Sequence, residues 1–157
     1  MTLPGFAPVL GKIPSGLFII TARHGDRETG MLASWIMQAG FEPPMISLAV
    51  RKDRYLVDWL ATGATVVVNV LADGQKEMLR HFGKGFEPDE PAFDGIELAR
   101  SPQGVPVLAQ SAGHLECAIR RHVDSGDHRI FLAEVVGGHA AGDQPPAVHV
   151  RKNGLRY

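Results

Sequence analysis

The residues able to do chemistry fall into a few groups. Arg51, Lys52 and Arg54 stand just ahead of a segment with helical spacing, so side-chain cations and the positive end of a helix would converge on one spot. Such a spot suits a phosphate, and equally a plain solvated corner between a strand and a helix. Met31-Leu32-Ala33-Ser34-Trp35 joins an apolar run to one hydroxyl, and it suits either the wall of a ligand slot or ordinary core. His128 follows the turn cluster Ser125-Gly126-Asp127, where the glycine lets the backbone come close to a ligand. An imidazole there can hold a hydrogen bond to a ligand, or simply flank a turn at the surface.

Spacing argues against other chemistries. The chain has seven histidines, but no two stand three to five residues apart beside an acid or cysteine, as zinc patterns require, so no metal site is expected. His122 and His128, on opposite arms of one expected hairpin, would make an incomplete site even if they faced each other. Pro14-Ser15-Gly16 lacks the strand, elbow and helix that expose a nucleophilic serine. Gly83-Lys84-Gly85 lacks the spacing and the following helix of a phosphate-binding loop. Cys117, the single cysteine, sits in apolar strand-like surroundings and reads as a packed small side chain.

The elements that would position these groups are mostly strands. Leu17 to Ala22 is a β-branched and aromatic run ending in the turn His24-Gly25-Asp26, with Glu28 to Ala33 as the return arm. Met31 to Gly40 has a composition compatible with a short helix before Phe41-Glu42-Pro43-Pro44. Met45 to Val50 alternates as a half-buried strand. Asp53 to Thr62 predicts a helix, with Asp53 as N-cap, Leu56 and Leu60 four residues apart, and Gly63 as the stop. Thr65 to Leu71 is a buried strand, followed by a second helix-like stretch striped with Met78, Leu79 and Phe82. Phe86 to Asp94 reads as a surface loop. Leu115, Cys117 and Ile119 alternate along a strand that turns at Ser125-Gly126-Asp127 and returns over His128 to Val136. At least six strands and two helices result, and the short turns of the last third favour an antiparallel barrel.

Composition bounds the rest. At 157 residues one domain, 1–157, is expected. The 18 glycines and 11 prolines exceed their average share of about 12% and imply many turns. A net charge of −1 supplies no basic footprint for nucleic acid. Pro4, Pro8, Gly11 and Pro14 interrupt any leader-like apolar run, and no stretch reaches the roughly 20 residues of a membrane span, so a soluble, cytoplasmic chain is expected.

The order of these segments resembles a known family. Pro14-Ser15-Gly16 and its strand, Gly30 to Trp35, Phe41-Glu42-Pro43-Pro44, Arg51-Lys52-Asp53-Arg54 and Ser125-Gly126-Asp127-His128 together are similar to the flavin reductase-like family, the FMN-binding split barrels. The nearest likeness is to flavoredoxin and to the flavin reductase-like domain of cyanobacterial flavodiiron proteins. The resemblance implies a mainly β, antiparallel split β-barrel of Greek-key type with two or more short helices. It implies a homodimer with FMN between subunits, reduced by NADH or NADPH and passing electrons to free flavin or a redox partner protein. Met31, Leu32, Ala33, Ser34 and Trp35 would line the flavin. Arg51, Lys52, Asp53 and Arg54 would hold its phosphate, and His128 would stand near nicotinamide or flavin as the catalytic residue. Leu32 and Trp35 stand where many free flavin reductases carry smaller polar residues, which implies a tightly held FMN. A flavoredoxin-like electron carrier without a productive nicotinamide site, and a non-catalytic flavin- or haem-binding module, are the alternatives.

Overall fold

The run Thr65–Val70 forms a central strand, as its β-branched composition requires. Val66, Val67, Val68 and Asn69 are all buried, so both faces of the strand are covered. Asn69 is the polar exception, and every polar atom of its amide is satisfied. It donates to the Ile19 carbonyl at 2.9 Å and to Thr21 Oγ1 at 3.1 Å, and it accepts from the Leu108 amide at 2.9 Å.

The computed structural model describes residues 2–157. In chain order the elements are α1 (Ala7–Gly11), β1 (Ser15–Gly16), β2 (Phe18–His24), β3 (Arg27–Ala33), β4 (Ile36–Gly40), β5 (Met45–Arg51), α2 (Leu56–Ala61) and β6 (Thr65–Val70). There follow α3 (Lys76–Gly83), β7 (Leu98–Arg100), β8 (Pro106–Leu108), β9 (Gly113–Ser125), β10 (His128–Ala140) and β11 (Val148–His149). Seven strands form one antiparallel sheet in the order β3-β2-β6-β9-β10-β5-β4, with β1–β11 and β7–β8 as small ribbons. The fold is therefore mainly antiparallel β with short helices, as expected, although the chain is cut into more strands than the six its patterns reveal. No helix among the described residues is long and apolar enough to cross a membrane.

One connection shapes the whole sheet. Strands β3 and β4 are its two outer edges, yet only Ser34 and Trp35 separate them in the chain. The three steps from Ala33 to Ile36 span at most about 11 Å, so the sheet must curl until its edges approach. They meet without a hydrogen-bonded ladder, which leaves a seam. Inside the curl, Ile20, Leu48, Val68 and Phe131 pack against Leu56, Val57, Trp59 and Leu60 of α2. Each fully buried side chain of this size contributes roughly 1.5–3 kcal/mol. On the outer face Phe82 of α3 packs beside Ile19, Leu71 and Leu108.

Several expectations are corrected. Residues 31–40 form no helix; 31–33 end β3, Ser34 and Trp35 link the strands and 36–40 form β4, because pairing with β2 and β5 satisfies backbone groups that so short a helix would leave open. The helix expected at Asp53 begins at Leu56, and its N-cap residue Tyr55 makes no side-chain cap. Asp53 is drawn instead to the Arg51 guanidinium, 3.0 Å away. The positive helix end invoked for an anion is thus only six residues long and begins beyond the cations. His122 lies opposite Phe131 and not His128, which pairs with Ser125. Trp59 is only 5% exposed and belongs to the core, so it offers no apolar surface to a second subunit.

Candidate functional site

The seam opens onto a cavity of about 430 Å³. The end of β3 and its continuation, Met31 to Trp35, supply one wall. The end of β5 supplies another through Ala49, Val50 and Arg51, with Arg54 in the turn that follows. Leu79 and Phe82 of α3, then Gly83, Lys84 and Gly85, close a third side, while Leu17, His149 and Tyr157 complete the lining. The floor is held to the wall by the Ala49 amide, which donates to the Trp35 carbonyl at 3.0 Å.

The cations of the β5 corner part company. Lys52 lies away from the cavity, its Nζ 3.4 Å from Asp124 on the β9–β10 hairpin, and Asp53 is occupied with Arg51. Arg54 and Lys84 line the cavity and join no ion pair among the described residues. Arg54 reaches toward the loop after α3, since a side-chain carbon placed at Gly85 would stand 4.0 Å from its Nη1. Lys84 rests 5.0 Å from the Phe86 ring centre in a cation–π contact. Two unpaired cations from separate elements, with Arg51 in the same lining, make one end of an otherwise apolar slot suited to an anion.

Trp35 is held from three directions. The His128 ring lies 4.6 Å from it at 32°, the Tyr157 ring 5.2 Å at 51°, and the Arg151 guanidinium sits 5.2 Å over it. His128 is 8% exposed and stands behind the lining rather than in it. Its Nδ1 lies 2.7 Å from Asp127 Oδ1, and its Nε2 is hydrogen-bonded to the Tyr157 hydroxyl. The hydrogen bond from His128 holds the Asp127 carboxyl below the usual range. Burial pushes the Tyr157 hydroxyl up, so it keeps its proton.

The cavity thus gathers Met31, Leu32, Ala33, Ser34, Trp35, Arg51 and Arg54, and omits Lys52, Asp53 and His128. Lys84, His149 and Tyr157 were not expected there. Lys84 carried a weak signal in Gly83-Lys84-Gly85, missed because a contiguous phosphate loop was sought while the structure completes the site from a distant strand corner. Leu79 and Phe82 looked like ordinary core, which on their other side they are.

Comparison with known proteins gives the family. The model of the flavin reductase like domain matches residues 10–154. The chain is 37% identical over 150 residues to diflavin flavoprotein A 1 of Synechocystis sp. (strain ATCC 27184 / PCC 6803 / Kazusa), which covers 94% of this chain and 26% of that protein. It therefore spans about a quarter of the length of such relatives. Among solved structures, the NADH:FAD oxidoreductase SgcE6 of Streptomyces globisporus C-1027 superposes with a TM-score of 0.84 at 31% identity, covering 91% of this chain and 85% of the other. BorF, the flavin reductase component of a bacterial two-component tryptophan halogenase, superposes with a TM-score of 0.81 at 25% identity, covering 91% and 90%.

Proposed function

Since the chain belongs to the family of flavin reductase-like domains and is a flavin-binding oxidoreductase of that type, we propose that it holds FMN in the seam cavity and transfers hydride to it from NADH or NADPH. The observation that carries this reading is the pairing of an apolar slot with unpaired Arg54 and Lys84 at one end, which matches a ring joined to a phosphate. The cavity volume of about 430 Å³ accommodates one such ligand.

Bound FMN supplies the hydride acceptor, so the chain needs no nucleophile of its own. Its residues position and shield. Arg54 and Lys84 hold the phosphate by charge-assisted hydrogen bonds, with Arg51 adding charge. Met31, Leu32, Ala33 and Trp35 exclude water from the ring, and buried Ser34 offers a hydroxyl beside it. His128, set back from the cavity, orients Trp35 and Tyr157. We further propose that residues 1–157 act as one cytoplasmic domain and pair as a homodimer.

A second reading is supported by the quarter-length match to diflavin flavoprotein A 1. In that reading this chain is an electron-carrying module that receives electrons from a protein partner. One experiment separates the two: the absorbance spectrum of the purified protein, then NADH and NADPH added without oxygen. A bound flavin, identified as FMN by mass, that bleaches with either nucleotide is expected. A yellow spectrum stable to both would overturn hydride transfer and favour the carrier. Absence of any bound or bindable flavin would overturn both.

A further inference from the structure

The hydroxyl of the lining residue Tyr157 is committed to a chain of partners, His128 and then Asp127, that reaches out of the cavity. The Asp127 carboxylate can only accept, so His128 carries a proton on Nδ1, and in the neutral imidazole Nε2 presents a lone pair. In that form the lone pair faces the Tyr157 hydroxyl, which donates its proton to His128. A phenol whose proton is spent in this way has only acceptor capacity left for the cavity. The location of the hydroxyl narrows what it can meet. Arg51 and Arg54 line the same cavity as Tyr157, and Arg151 shares the Trp35 ring with it, so the hydroxyl has cations around it. The ring of Tyr157 is inclined 51° to Trp35 and does not lie parallel to it. It is therefore placed as a polar contact beside the anion site rather than as a stacking surface for a flat ring.

We infer that Tyr157, oriented by Asp127 and His128, accepts a hydrogen bond from the polyhydroxyl chain that joins a flavin ring to its phosphate. This rests on the flavin reading above and assigns that site's contact to the ribityl portion of the ligand. A ribityl hydroxyl next to the phosphate is the donor that an acceptor-only oxygen near Arg51 and Arg54 would select. Asp127 and His128 are positioning residues, since neither lines the cavity.

The test uses three flavins that differ by one portion each: FMN, riboflavin without the phosphate, and lumiflavin without the ribityl chain. Affinities are read by fluorescence titration of the full chain. Tyr157→Phe, which keeps the ring and removes only the hydroxyl, is expected to weaken FMN and riboflavin by the same factor of about five and to leave lumiflavin unchanged. Asp127→Ala, which leaves the His128 and Tyr157 rings packed on Trp35, is expected to give the same pattern, and to add nothing in the Tyr157→Phe background. Unchanged lumiflavin binding also reports an intact pocket in each variant. Equal losses for all three flavins would make Tyr157 a ring contact and overturn the inference. So would a loss confined to FMN, or no loss at all. If the unaltered protein bound none of the three, the flavin reading itself would fall, and the inference with it.

Discussion

At the scale of single residues, charge pairing decides which cations serve the site. Lys52 is paired with Asp124 away from the cavity and Arg51 with Asp53, whereas Arg54 and Lys84 have no ion-pair partner among the described residues, so the latter two carry the anion prediction. Replacing both by alanine should weaken FMN about a hundredfold, the equivalent of two charge-assisted hydrogen bonds, while riboflavin changes less than about twofold. Fluorescence titration measures both, and equal losses for the two ligands would show that these residues do not contact phosphate. Cys117 makes the opposite case of a reactive group silenced by its surroundings. Buried in β9, its thiol is pushed up to about 12, mainly by desolvation and then by the charge of Glu116. It should therefore resist a thiol-specific colour reagent at pH 8 in the native state and react fully in guanidinium. Rapid labelling of the folded protein would contradict this.

At the scale of elements, packing between α3 and β3 sets one wall of the cavity. Gly30 leaves room for Phe82, since a side-chain carbon at that position would stand 2.6 Å from Phe82 Cε1, a rigid and buried ring atom. Gly30→Ala should force α3 outward, lower stability by roughly 1–3 kcal/mol and loosen the Lys84 wall. Denaturant unfolding and FMN titration would show both losses, and an unchanged unfolding midpoint would refute the close fit. The β9–β10 hairpin is tied to the β5 corner through Asp124, which lies 2.8 Å from Arg129 and 3.4 Å from Lys52. The hydrogen bond from Arg129, chiefly, holds the Asp124 carboxyl below its ordinary value. A depressed carboxylate stabilises above its unfolded value of about 3.9 and loses that contribution as pH falls through the folded value. Asp124→Asn should therefore lower the thermal midpoint at pH 7, modestly because the pair is exposed, and the gap should close toward about pH 2. A gap that grew on acidification would contradict the assignment.

At the scale of the molecule, the exposed apolar side chains concentrate on one region. Phe6, Val9 and Ile13 lie on or beside α1, and Val148 and Val150 lie on or beside β11. The two segments are joined where the Arg151 amide donates to the Gly11 carbonyl and the Gly154 amide to the Ala7 carbonyl. A patch of this kind beside a ligand cavity is the expected face of a homodimer. Sedimentation should give about twice 17.0 kDa at micromolar concentration. Phe6→Glu with Ile13→Glu should return the monomer, and a monomer from the unaltered chain would rule the dimer out.

Local pattern alone was enough for much of the frame. The valine run of β6, the alternation of β5 and of β9 with β10, and the glycine turn at 125–127 are properties of neighbouring residues, so they were legible without tertiary contacts. The segment from Met31 to Trp35 and the cation at Arg54 were also marked by residue type. Residues 31–40 were misread because two short edge strands owe their form to partners far away in the chain, β2 and β5, and not to their own composition. The cavity was beyond the sequence for the same reason. Its walls come from β3, β5, α3 and Tyr157, and only the curl imposed by the two-residue link at Ser34 and Trp35 brings them together. That curl also decided which of four adjacent charged residues face the slot, and it set Tyr157 between His128 and the cavity, because side-chain direction and ion pairing depend on distant partners that no local spacing encodes.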